Sequence, residues 1–156
     1  MNRTPIIRFI AVLTGLALAA GLSTGVASAK IKPKDGAYYQ KVGKQDGYVI
    51  TDGGKIAGAS ANMKFRDREG KACTPDGLYT YEGVTGAFST PKRAVAPNAR
   101  NRFSFRGSIS SSYPKLRSSV SGRFVNRNRA IFTIKVWQGG CKASLTLRKA
   151  RFTAGG

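Results

Sequence analysis

RAIFTIKVWQGGCKASLTLR, residues 129–148, decides the fold. Ala130, Phe132, Ile134 and Val136 alternate with Arg129, Ile131, Thr133, Lys135 and Trp137; further on, Ala143, Leu145 and Leu147 alternate with Lys142, Ser144, Thr146 and Arg148. A period of two sends successive side chains to opposite faces of an extended chain, so both runs predict β-strands with one apolar and one basic face. Gln138-Gly139-Gly140 lies between them. Glycine takes the positive φ of a tight connection without steric cost, so the runs should fold back as an antiparallel hairpin. Cys141 opens the second strand.

The same alternation extends outward from the hairpin. Upstream, Leu116, Val120 and Phe124 share a face that Arg117 and Arg123 do not, and Asn126 to Asn128 turn the chain into the hairpin. Phe103 and Phe105 oppose Arg102 and Arg106 in the same manner, across a serine-rich connection from Ser108 to Pro114. Downstream, Phe152 is even-numbered where Leu147 is odd, and a bulge near Lys149 would absorb the change of phase. Nearer the amino terminus, Gly36-Ala37-Tyr38 opens a strand, Tyr48, Val49 and Ile50 lie between the turn signals Asp46-Gly47 and Asp52-Gly53-Gly54, and a third strand runs from Lys55 towards Phe65. Leu78 to Glu82 reads as another strand. Lys30 to Asp35 is expected to be a mobile basic leader. From Gly83 to Asn101, with Pro91 and Pro97, the pattern fails, which predicts a long irregular connection. Helical periodicity is absent, so the fold class is all-β: an antiparallel β-sandwich or flattened barrel of about eight short strands.

The first residues carry a different signal. Arg3 and Arg8 precede a mostly apolar run of 14 residues, Phe9 to Leu22, and Ala27-Ser28-Ala29 supplies the small residues that a signal peptidase reads. Fourteen residues fall short of the ~20 that cross a bilayer. The expectation is a signal peptide over 1–29, cleavage between Ala29 and Lys30, and a single secreted β-domain over 30–156, extracellular or associated with the cell envelope. Export allows Cys73 and Cys141, the only cysteines, to join in an oxidising compartment.

The order Gly36-x-Tyr38, Cys73, Gly122-Arg123-Phe124, Asn128-Arg129-Ala130, Gly140-Cys141 and Phe152-Thr153-Ala154 resembles a loose group of small secreted bacterial β-domain proteins of unknown function. The resemblance covers most of the chain after the signal peptide, supports the fold and export, and implies no catalytic residue. This chain departs from the group in its arginine content.

Chemistry of the usual catalytic kinds is poorly supplied. With no histidine, Ser-His-Asp and Cys-His arrangements are excluded, and two thiolates alone do not complete a zinc shell. Ser-x-x-Lys occurs at Ser89–Lys92 and Ser112–Lys115, but Pro91 and Pro114 sit inside the strings and deny them the helix that stacks lysine beside serine. Of the seven carboxylates, Asp46, Asp52, Glu69 and Asp76 stand beside turn glycines, where local hydrogen bonds account for them. Asp67 with Glu69 is the pair that would share a weakly held calcium ion. No catalytic residue, metal site or cofactor is expected, and the chain reads as a non-enzyme.

Charge is the feature that remains. Lys30 to Glu82 holds 10 basic and all 7 acidic residues, whereas Gly83 to Gly156 holds 15 basic residues and no acid. If the late strands share a sheet, Arg102, Arg106, Arg117, Arg123, Arg129, Lys135, Lys142 and Arg148 all project from its solvent face. Arginine outnumbers lysine by 10 to 5 in that half, which suits bidentate contacts to phosphate or carboxylate. The bland alternative is a solubilising coat, although mixed charge would disperse the protein without self-repulsion. The expected partner is an anionic polymer or surface: a cell-envelope polymer, acidic glycan, membrane headgroups or nucleic acid, with Trp137 and Tyr113 available for stacking. The competing expectation is a secreted enzyme inhibitor, or an enzyme, working through the 83–101 loop.

Overall fold

Nine strands realise the alternation in a computed structural model that describes residues 29–108 and 116–154: β1 (Gly36–Val42), β2 (Gln45–Asp52), β3 (Lys55–Met63), β4 (Thr80–Tyr81), β5 (Val84–Pro91), β6 (Arg102–Ser108), β7 (Arg117–Asn126), β8 (Arg129–Gln138) and β9 (Cys141–Thr153). The expected signal peptide lies outside the described residues apart from Ala29, and so do Tyr113 and the Ser112–Lys115 string. No helix occurs among the described residues.

All neighbours are antiparallel, in the order β3-β2-β1-β9-β8-β7-β6-β5-β4, and β3 also pairs with β5. That last pairing brings the sheet round into a partly closed ring; apart from β4, a short strand paired only with β5, consecutive strands are sheet neighbours. One antiparallel sheet folded partly back on itself is the architecture expected, a β-sandwich or flattened barrel. Its weakest seam is β5–β6, joined only at Thr90–Ser108 and Pro91–Gly107. There the buried hydroxyls of Ser89 and Ser118 hydrogen-bond to each other across Gly107, and Ser118 Oγ donates to the Gly107 carbonyl at 3.0 Å. A Cβ on Gly107 would run into Ser89 Oγ and fall 2.6 Å from the Thr90 carbonyl oxygen, so glycine is what lets β5 and β7 meet over β6.

The inner face is filled. Tyr38, Val49, Ile56, Met63, Leu116, Val120, Phe132, Ile134, Val136 and Leu147 are essentially inaccessible, and each such large side chain contributes about 1.5–3 kcal/mol by burial. The rings of Phe124 and Phe152 pack edge-on against Tyr38 at 5.1 and 5.6 Å. The opening hairpin forms as the alternation predicts, with Gln138 opposite Cys141 and Gly139 at φ 55°. The phase change in β9 is also where expected: Ala130 faces Ala150 but Phe132 faces Leu147, and the extra residue falls at Arg148-Lys149. Cys73 and Cys141 form a disulfide, with Cα atoms 6.0 Å apart, across 68 residues of sequence. A loop of that length corresponds to roughly 4 kcal/mol in the chain-entropy account.

Three expectations fail, each for a physical reason. Gly83 to Asn101 is not an irregular connection, since β5 occupies its first half and pairs with β3, β4 and β6. Its buried positions are Thr85, Ala87 and Ser89, so the inward face is small and polar and shows no apolar alternation to read. The strand expected over Leu78 to Glu82 shrinks to two residues. Finally, the leader is tied down. Pro33 is buried, Ile31 N–H donates to Asn101 Oδ1 at 2.7 Å, and Lys34 N–H donates to the Tyr38 hydroxyl at 2.9 Å. That hydroxyl donates onward to the Arg127 carbonyl at 2.8 Å, linking leader, β1 and the β7–β8 turn. Burial pushes the Tyr38 phenol up from its ordinary range.

Candidate functional site

Strands β6 to β9 are consecutive in the ring, and their outward residues form cross-strand rows. Arg117, Trp137 and Lys142 make one row. Arg106, Ser119, Lys135 and Ser144 make the next, followed by the hydroxyl row Ser104, Ser121, Thr133 and Thr146. Beyond it Arg102 stands opposite Arg123, with Ile131 alongside, and then Arg129 stands opposite Arg151. Arg148 projects from the β9 bulge. All eight expected cations, Arg102, Arg106, Arg117, Arg123, Arg129, Lys135, Lys142 and Arg148, are exposed. Rows lie about 7 Å apart along the strands and neighbouring strands about 4.8 Å apart, so the directly opposed pairs Arg102–Arg123 and Arg129–Arg151 fall within the ~8 Å screening length of physiological salt, and the other neighbouring cations of the basic rows stand at or just beyond it.

Among the described residues no carboxylate pairs with them. The two ion pairs among the described residues, Lys44–Glu82 and Lys71–Glu69, belong to the first half of the chain and are exposed. Asp35 accepts from Gly54 N–H, and Asp46 accepts from Asn62 Nδ2. Asp67 accepts from the amides of Glu69 and Lys71, so the pair weighed for calcium serves its own turn. Ser89 of the first Ser-x-x-Lys string is buried on β5 whereas Lys92 is exposed beyond the strand, which separates the two groups that such chemistry needs together.

At one end of the face the rows open into a groove of about 550 Å³, lined by Lys64, Arg66, Lys135, Trp137, Lys142 and Ser144. Trp137 is half-buried here, on the outer surface and not in the core. Lys64 and Arg66 arrive from the segment after β3, where Arg66 and Lys142 exchange both backbone hydrogen bonds at 2.9 Å. That attachment sits beside the Cys73–Cys141 bridge, which holds the 64–73 segment against the start of β9. Neither residue was legible as part of the site. Their outward direction follows from alternation with the buried Met63 and Phe65, but their proximity to Lys142 depends on contacts across more than 70 residues of sequence. Arg151, paired opposite Arg129, was likewise missed because the β9 bulge conceals its phase.

No known protein family, curated protein or solved structure matches this chain.

Proposed function

We propose that this is an exported β-barrel that grips anionic polymers or surfaces through the outer face of β6 to β9. The observation that carries the reading is the arrangement of eight exposed cations on four adjacent strands, with Arg102 directly opposite Arg123 and no carboxylate partner. Like charges opposed across strands destabilise a sheet, so such a face is better suited to an external counter-charge than to stability. A polyanion docking there releases its condensed counterions and gains affinity that no single exposed pair would supply. The disulfide fits an oxidising compartment, in keeping with a signal peptide over 1–29 and a secreted, envelope-associated location.

The competing reading, an inhibitor or enzyme acting through residues 83–101, retains only the stretch after β5, residues 92–101, as a loop to work with. The test is binding of the processed chain to immobilised heparin and to duplex DNA over a salt series. Affinity should fall by on the order of 10³-fold between about 50 and 200 mM salt, the behaviour of six or more ionic contacts. Binding that is insensitive to salt, or equal on uncharged dextran, would overturn the proposal.

A further inference from the structure

Resting on the polyanion reading, we infer that the groove around Trp137 is a subsite for an anionic saccharide, one whose ring carries carboxylate or sulfate groups. Cations stand on several sides of the Trp137 position. Arg117 flanks it on β7, Lys142 on β9, Lys135 lies two residues along its own strand, and Lys64 and Arg66 close the groove beyond β9. Ser144 adds a hydroxyl to the same wall.

This surround discriminates between ring-bearing polyanions. A nucleotide stacked on an indole places its phosphate to one side and an uncharged base edge to the other, where a cation would be left facing a neutral group. An acidic sugar carries its charges around the rim of the ring and its C–H groups on the face. It therefore meets a cation on each flank while the indole covers the apolar face. The hydroxyl row Ser104, Ser121, Thr133 and Thr146 continues the surface between two basic rows; Thr133 and Thr146 hydrogen-bond to each other at 2.8 Å, and their remaining acceptor capacity together with Ser104 and Ser121 offers partners for sugar hydroxyls. A phosphate polymer without rings would use the same cations and leave Trp137 idle.

Trp137 is the only tryptophan in the sequence, so its fluorescence reports this groove alone. The processed chain is titrated with a heparin hexasaccharide, a linear polyphosphate and an oligothymidylate at low salt. The hexasaccharide should change the Trp137 emission saturably, and Trp137→Ala should weaken it about ten-fold while polyphosphate affinity stays within about two-fold. The inference fails if the unmodified chain binds the hexasaccharide with no emission change, if the variant loses polyphosphate equally, or if oligothymidylate shows the larger dependence on Trp137. In each of those cases polyphosphate binding to the unmodified chain leaves the basic-face reading standing. Failure of all three polyanions to bind defeats both.

Discussion

The strands from β1 to β3 and those from β6 to β9 build their inner faces alike and their outer faces differently. Both line the core with alternating apolar residues, Tyr38, Val49, Ile56 and Met63 in one, Val120, Phe132, Ile134 and Leu147 in the other. Outside, the first region mixes Lys41, Tyr39, Asp46 and Tyr48 and satisfies its polar groups locally, as in Asn62 to Asp46 and Lys64 N–H to Gln45 Oε1. The second carries chiefly cations and hydroxyls, and no acid. Burial of the inner pattern drives folding, whereas like charges opposed on the outer face of β6 to β9 work against it, and the proposed anionic partner would supply the missing counter-charge.

The disulfide between the segment that follows β3 and the start of β9 gives the largest expected effect. Cys141→Ser should lower stability by about 2–5 kcal/mol, measured by denaturant unfolding, because it removes the clamp between the 64–73 segment and β9. A drop well below this range would show that the backbone bonds between Arg66 and Lys142 and the surrounding packing hold that segment to β9 unaided.

Next in size is a charge exchange between the regions. Reversing Arg106, Arg117 and Arg123 to Glu should weaken heparin binding on the order of 100-fold at low salt and reduce the salt slope by about three, one for each arginine that no longer holds an anionic group. Reversing Lys41, Lys44 and Lys55 should change it far less, with circular dichroism unaltered in both sets because all six side chains point outward. Equal weakening would mean that the charge acts as a diffuse coat and that the two regions do not differ in function.

The smallest effect is the most pointed. Arg102→Thr removes one member of the Arg102–Arg123 opposition and should raise stability by a few tenths of a kcal/mol at low salt, with the gain fading as salt is added. The same variant should bind heparin more weakly. A variant that is less stable at low salt would indicate that the arginine stem packs on the sheet and that repulsion is not what the face endures.

Alternation alone determined most of this protein. It placed the hairpin of β8 and β9, the strands β6 and β7, the direction of all eight cations and the bulge at Arg148-Lys149, because a strand's period of two couples inward burial to outward charge at every residue. It failed at β5, where the inward residues Thr85, Ala87 and Ser89 are small or polar and carry no apolar signal, and where the strand is defined by its pairing with β3. It failed at the leader, whose order comes from the side chains of Asn101 and Tyr38, far from it in sequence or hidden in the core. The groove at Trp137 was likewise decided by tertiary structure, since Lys64 and Arg66 reach Lys142 only once the disulfide and the sheet have brought distant segments together. Pattern records which way a side chain points; which partner stands opposite depends on long-range pairing, and pairing is a property of the whole barrel.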